Sequence, residues 1–358
     1  MNTVLDITDL FEKIPQRVRR STWFGSRKKY LGARNPPWSD TKENRVIPWP
    51  EYTSNLSNQR FNREHFQGVQ RVGSKLVLSG GISHVDAPGT QKASQLIVVE
   101  MGSVAEKTAW SLPAYGSSYK EPDERDLVVE VRTVHQTAWH AGGIQAIDSL
   151  VAVPVYASGQ DSRIEFLDLE EEARILKPLE TPGQSPKAVG IAPLADWLAH
   201  RYVMVVWDDV DLRFYFADTL PLDFDEADIN SDPPRISVQD LPAGFLEGLQ
   251  PSRSTYQMVN LVLNKTDSHI YMIAARSSEV LTPLIPGRDS LDLYRVRFIG
   301  NDLKRPHVEF VTSKLMYCYN KQCNFSAATG IYVHDEHHMF YTQLHDGNKR
   351  INFNEYAF

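Results

Sequence analysis

Cysteine is nearly absent: there are two in 358 residues, Cys318 and Cys323. One close pair builds no disulfide framework. Its flanks, Tyr317 to Phe325, add no His or further Cys for a four-ligand zinc site. The pair reads either as a local bridge or as two reduced thiols. No run approaches the ~18 apolar residues that span a bilayer, so no membrane partner is expected. Met1 to Arg20 lacks the continuous apolar stretch of a secretory signal, and a cytoplasmic location is expected. There is no basic excess either. A net charge of −7 and a pI near 5.9 give no general pull toward nucleic acid, and none is expected as a partner. The basic cluster Arg17, Arg19, Arg20, Arg27, Lys28 and Lys29 reads as a solvated arm. Reaction motifs are missing as well: no Gly-x-Ser-x-Gly elbow, no P-loop, no His-Glu-x-x-His. Gly80-Gly81 has no helix after it, so no nucleotide cofactor is expected.

A repeat is present. His140-Ala-Gly-Gly-Ile-Gln145 is echoed by His65-Phe-Gln-Gly-Val-Gln70 and by Lys187-Ala-Val-Gly-Ile-Ala192. Weaker copies are Gln257-Met-Val-Asn-Leu261 and Ala327-Ala-Thr-Gly-Ile331. The copies begin 47 to 75 residues apart. Each is followed by an aliphatic strand, a turn and an alternating strand, and four of the five by a further short strand. The expected second strands are Lys75–Ser79, Leu150–Tyr156, Tyr202–Trp207, His269–Ala275 and His338–Gln343. Fourth strands are expected at Lys107–Leu112, Arg174–Pro178, Arg235–Val238 and His307–Thr312.

Four-stranded units at such periods resemble the β-propeller class, although the Trp-Asp, kelch and Asp-box signatures are all missing. The resemblance implies an all-β, five-bladed propeller over residues 41–358, following an irregular N-terminal arm over 1–40. In the arm, one short helix over Asp9–Ile14 with Thr8 as its cap is expected. The last repeat stops after three strands, and the run Arg45–Pro48 is expected to supply its fourth and close the ring. A degenerate sixth blade around Asp126–Val134 and an open β-sandwich are the structural alternatives.

In a propeller, the five leading residues His65, His140, Lys187, Gln257 and Ala327 would ring one mouth of the central channel. Apolar strands do not need such polar residues for packing, and burying them costs free energy unless they find partners. His65 and His140 are expected to act as acid and base or to hold a divalent metal, with Lys187 as the third catalytic group. Gln70, Gln145, Gln257, Tyr256, Trp139, Trp207 and Asp208 are expected to bind the substrate, a small polar or anionic molecule. Asp208, Asp209 and Asp211 read as a hairpin turn; they resemble an oxygen-ligand cluster for calcium, but the EF-hand pattern of Gly and a terminal Glu is absent. Lyase, isomerase or hydrolase chemistry fits this set. The alternative is a non-catalytic module presenting a rigid face to a protein or a carbohydrate partner.

Overall fold

The computed structural model describes residues 2–14, 17–18, 42–48, 65–73, 75–82, 93–100, 127–135, 138, 140–157, 160–169, 174–195, 198, 200–219, 233–241, 256–278, 288–318, 328–335, 338–347 and 350–357. The fold is an all-β propeller with little helix. The described strands form four hydrogen-bonded sheets, where five were expected. Repeats two, three and four each have their own sheet. Repeats five and one share an eight-stranded sheet, joined by a parallel contact between Thr329 and Gly68. Within it, Lys42–Pro48 pairs antiparallel with Arg350–Ala357. Among the described residues no helix is long and apolar enough to cross a membrane.

The second-strand expectations hold closely in repeats two to five, whereas of the fourth strands Arg174–Ile175 is shorter and Pro306–Cys318 longer than expected. The observed second strands are Leu150–Ala157, Tyr202–Trp207, His269–Ser278 and His338–Gly347. Repeat one departs from the expected pattern. Its outermost strand is Leu127–His135, paired with Ala93–Glu100. The run read as a start of a sixth unit is therefore the fourth strand of the first. The expected strand Lys107–Leu112 lies outside the described residues.

The first strands crowd one another on the axis, which explains the signature glycines. A β-carbon on Gly143 would overlap the carbonyl oxygen of Gln257, and one on Gly142 that of Lys187. Gly143 N–H also donates to Lys187 O at 2.8 Å, and Val189 N–H donates back to Gly143 O at 3.0 Å. Only a residue without a side chain admits this approach.

Polar side chains then cross-link the hub. The Gln145 amide donates to Leu261 O at 2.9 Å. Its carbonyl oxygen accepts from Ile191 N–H at 2.7 Å and Leu261 N–H at 2.8 Å. Asn260 Oδ1 accepts from Ile331 N–H at 2.8 Å, and Gln70 donates to Ile331 O at 2.8 Å. Gln70 and Gln145, expected to bind substrate, thus spend their amides on the backbones of other repeats. Irregular meeting of strands leaves backbone groups without ladder partners, and buried groups of that kind must be paired.

Residues 2–14 of the N-terminal segment form a short strand and a helix. Asn2 is buried and donates to Ala146 O and Ile191 O at 2.8 and 2.9 Å, covering the end of the hub where the first strands finish. Thr3–Val4 adds in parallel to Leu263–Asn264. The helix spans Ile7–Lys13, and its cap is Asp6, not Thr8: Asp6 accepts from Thr8 and Asp9 N–H at 2.9 and 3.3 Å. A carboxylate there serves both the free N–H groups and the helix dipole. Ile7, Leu10, Phe11 and Ile14 are buried against Met258, Val262, Leu293 and Ile331. Each such side chain contributes about 1.5–3 kcal/mol.

Lys314 fixes the other end of this helix. Its buried ammonium donates to the carbonyls of Glu12 and Ile14, the latter at 3.0 Å. Burial pulls its pKa down to about 8, opposed by the charge of Glu12. An unfolded lysine keeps its proton to about 10.4, so folding expels a proton between these values. Stability is therefore expected to gain from this group as pH rises from about 8 toward 10. Melting temperatures of wild type and Lys314→Met across that range check it: the difference between the two should shift toward wild type as pH rises.

Candidate functional site

His140 opens the short strand His140–Ala141 and lies directly across from Tyr156 in the neighbouring strand. That register brings the rings into an edge contact, with centroids 4.3 Å apart at 62°. The Tyr156 hydroxyl is 3.3 Å from His140 Nε2. Gln67 Nε2 approaches the same nitrogen to 2.6 Å. Gln67 comes from repeat one, where a break in register between Phe66 and Gly68 marks a bulge at this residue. With the amide nitrogen donating, Nε2 is the unprotonated ring nitrogen. Burial, and then the charge of Asp209, push the Tyr156 pKa well above its ordinary value. Its hydroxyl therefore stays protonated and can donate.

Repeat three contributes Lys187, ion-paired to Asp209 from the turn after Tyr202–Trp207. Lys187 O accepts from Gly143 N–H, three residues on from His140, and the charge of its partner Asp209 acts on Tyr156. His65 begins the strand His65–Val72 and pairs with Gly81, but its side chain lies outside the description. Trp139 and Ala327 lie outside the described residues. Gln257 contributes its carbonyl oxygen to the crowding around Gly143.

The acidic run forms the hairpin turn its sequence suggests, and its oxygens are not left open for a cation. Asp208 Oδ1 accepts from Val210 and Asp211 N–H at 2.8 and 2.7 Å, which closes the turn. Arg213 bonds Asp208 and also Asp211, the latter at 2.8 Å. A guanidinium thus occupies the place a calcium ion would need. Asp208 is buried, with both its oxygens committed to this turn and to Arg213. Among the described residues, no group of three or more His, Cys, Asp or Glu is placed to hold a metal ion.

Trp207 and Tyr256, expected to bind the substrate, lie buried in the seam between repeats three and four. Their rings meet edge-on at 4.9 Å. The Tyr256 hydroxyl is 2.7 Å from Asp292 Oδ2 and 2.6 Å from the Tyr294 hydroxyl. Asp292, fully buried, also accepts from Ser313 at 2.6 Å and from Arg276 Nε at 2.9 Å. Burial and the Asp292 carboxylate drive both tyrosine pKa values upward. This network was not found from sequence. Ser290-Leu-Asp-Leu-Tyr294 alternates as a strand with one wet face does, yet all five residues are buried.

No protein-family model and no curated protein sequence matches the chain. Solved structures do show likeness at low identity. A glycosyl hydrolase from Bacteroides ovatus shares 9% identity at a TM-score of 0.42, covering 82% of this chain and 84% of that one. An exo-1,5-α-L-arabinanase from a bovine ruminal metagenomic library shares 9% at 0.37, covering 81% and 93%. A mutant Trypanosoma rangeli sialidase displaying trans-sialidase activity shares 8% at 0.32, covering 82% and 54%. At these values none of them assigns an activity.

Proposed function

We propose that the protein is an enzyme that binds a small polar or anionic molecule at the His140 end of the hub and acts on it by general acid–base chemistry. His140 exchanges the proton, Tyr156 and Gln67 fix its ring, and Lys187 orients the polar or anionic group. The observation that carries this reading is convergence. Gln67 of repeat one and Tyr156 of repeat two both reach His140 Nε2, and Asp209, the partner of Lys187 in repeat three, acts on Tyr156 by its charge. The same proposal takes the five repeats as five spokes, with Lys42–Pro48 completing the last one and His65 joining His140 at the mouth. Lyase, isomerase and hydrolase reactions suit these groups.

The test is a ligand-observed NMR screen with sugars, hydroxy acids and sugar phosphates, followed by turnover assays on whatever binds. His140→Ala is expected to lower turnover by about 10²–10⁴-fold while weakening binding far less. A second reading, a non-catalytic binding module, draws on the bonds that already satisfy His140 Nε2 and Lys187 within the chain. It predicts binding without turnover and no response to His140→Ala. A divalent metal shared by His65 and His140 is the other form of the catalytic proposal. About one metal per purified chain, lost in the His65→Ala/His140→Ala variant, would favour that form.

A further inference from the structure

The charges near this mouth come in pairs. Lys187 faces Asp209, Arg213 faces Asp208 and Asp211, and Arg276 faces Asp292. The Arg276 pair is one-sided. Nε donates to Asp292 at 2.9 Å and to Ser290 Oγ at 3.0 Å, while Nη2 is buried without a hydrogen-bond partner among the described residues. Trp207 Nε1 in the same seam is a second buried donor without a partner among them. The two are bridged by Tyr256, whose ring lies 4.9 Å from that of Trp207 and 5.9 Å from the Arg276 guanidinium carbon. Arg276 lies opposite Tyr256 in the facing strand, and Trp207 O accepts from Lys187 N–H at 2.7 Å, which ties the seam to the start of repeat three.

Two orphaned donors ask for two acceptor oxygens, since a buried donor left unpaired is costly. The carboxylate of Asp292 already cancels the guanidinium charge, so an incoming anion would meet repulsion from it as well as attraction. We propose that Arg276 and Trp207 form a subsite for the hydroxyl oxygens of an uncharged, polyhydroxylated molecule, with Asp292 as the group that keeps it neutral. This rests on the site reading above and narrows its substrate class from polar or anionic to uncharged.

Glucose and glucuronate serve as probes, with affinities measured on the full chain by ligand-observed NMR. Wild type is expected to bind glucose at least about tenfold more tightly than glucuronate. Asp292→Asn removes the cancelling charge, and the glucuronate-to-glucose affinity ratio is expected to rise about tenfold. Because each ratio is taken on one sample, a partly unfolded variant does not distort it. A wild type that prefers glucuronate, a ratio unmoved by Asp292→Asn, or no binding of glucose overturns the proposal. His140→Ala separates the two levels. If glucuronate is preferred and His140→Ala weakens it, the site stands and the neutral subsite falls; if neither probe responds to His140→Ala, the site reading falls.

Discussion

Gly143→Ala is expected to cost more than about 4 kcal/mol and to leave little folded protein at 37 °C. The new methyl group would overlap the carbonyl oxygen of Gln257, a backbone atom of another repeat. No rotamer change relieves such an overlap; two strands must separate, breaking the pair of bonds between Gly143 and repeat three. Gly183→Ala is the control. It has φ of +74° but open space around it, so only the left-handed backbone is penalised, at about 1 kcal/mol. Urea denaturation of both variants measures the contrast. A Gly143→Ala protein within about 1 kcal/mol of wild type would mean that the first strands do not meet as described.

Gln145→Met has the second largest expected effect, about 3–5 kcal/mol. The thioether fills similar space but abandons two backbone N–H groups and one carbonyl in the hub. Each orphaned buried group costs about 1–3 kcal/mol. The variant also separates two roles for this residue. A structural cross-link predicts a large loss of stability in urea denaturation. A substrate-binding glutamine predicts near-normal stability with weakened binding, which would return Gln145 to its expected role.

The periodicity was legible because edge-to-centre order in each repeat is written in local pattern: aliphatic second strands, alternating third strands and turns between them. The glycines were legible for a steric reason, since only close backbone approach explains a glycine in an apolar strand. What the glutamines do was not legible. Gln145 satisfies Ile191 and Leu261, 46 and 116 residues away, and no local pattern announces an orphaned amide in a distant strand. The Arg276–Asp292 network was hidden for a similar reason: alternation marks polar positions but does not say whether their face is wet or covered by the next sheet. An Asx turn and a cation site use the same residues around Asp208; the turn is the favoured reading, and Arg213, five residues on, decides for it. The short N-terminal helix was legible, but its docking was not, because a seven-residue helix carries little signal of what it packs on. Its order comes from Phe11 and its neighbours docking on repeats four and five.

Amide hydrogen exchange at Ile191, Leu261 and Ile331 tests the hub most directly. These three N–H groups, from repeats three, four and five, donate to the side-chain oxygens of Gln145 and Asn260. They are expected to exchange as slowly as the most protected amides of the protein, with Ile191 and Leu261 losing that protection together in Gln145→Met. Rapid exchange at these positions in the wild-type chain would contradict a packed axis, and with it the proposed meeting of His140, Gln67 and Lys187 at one mouth.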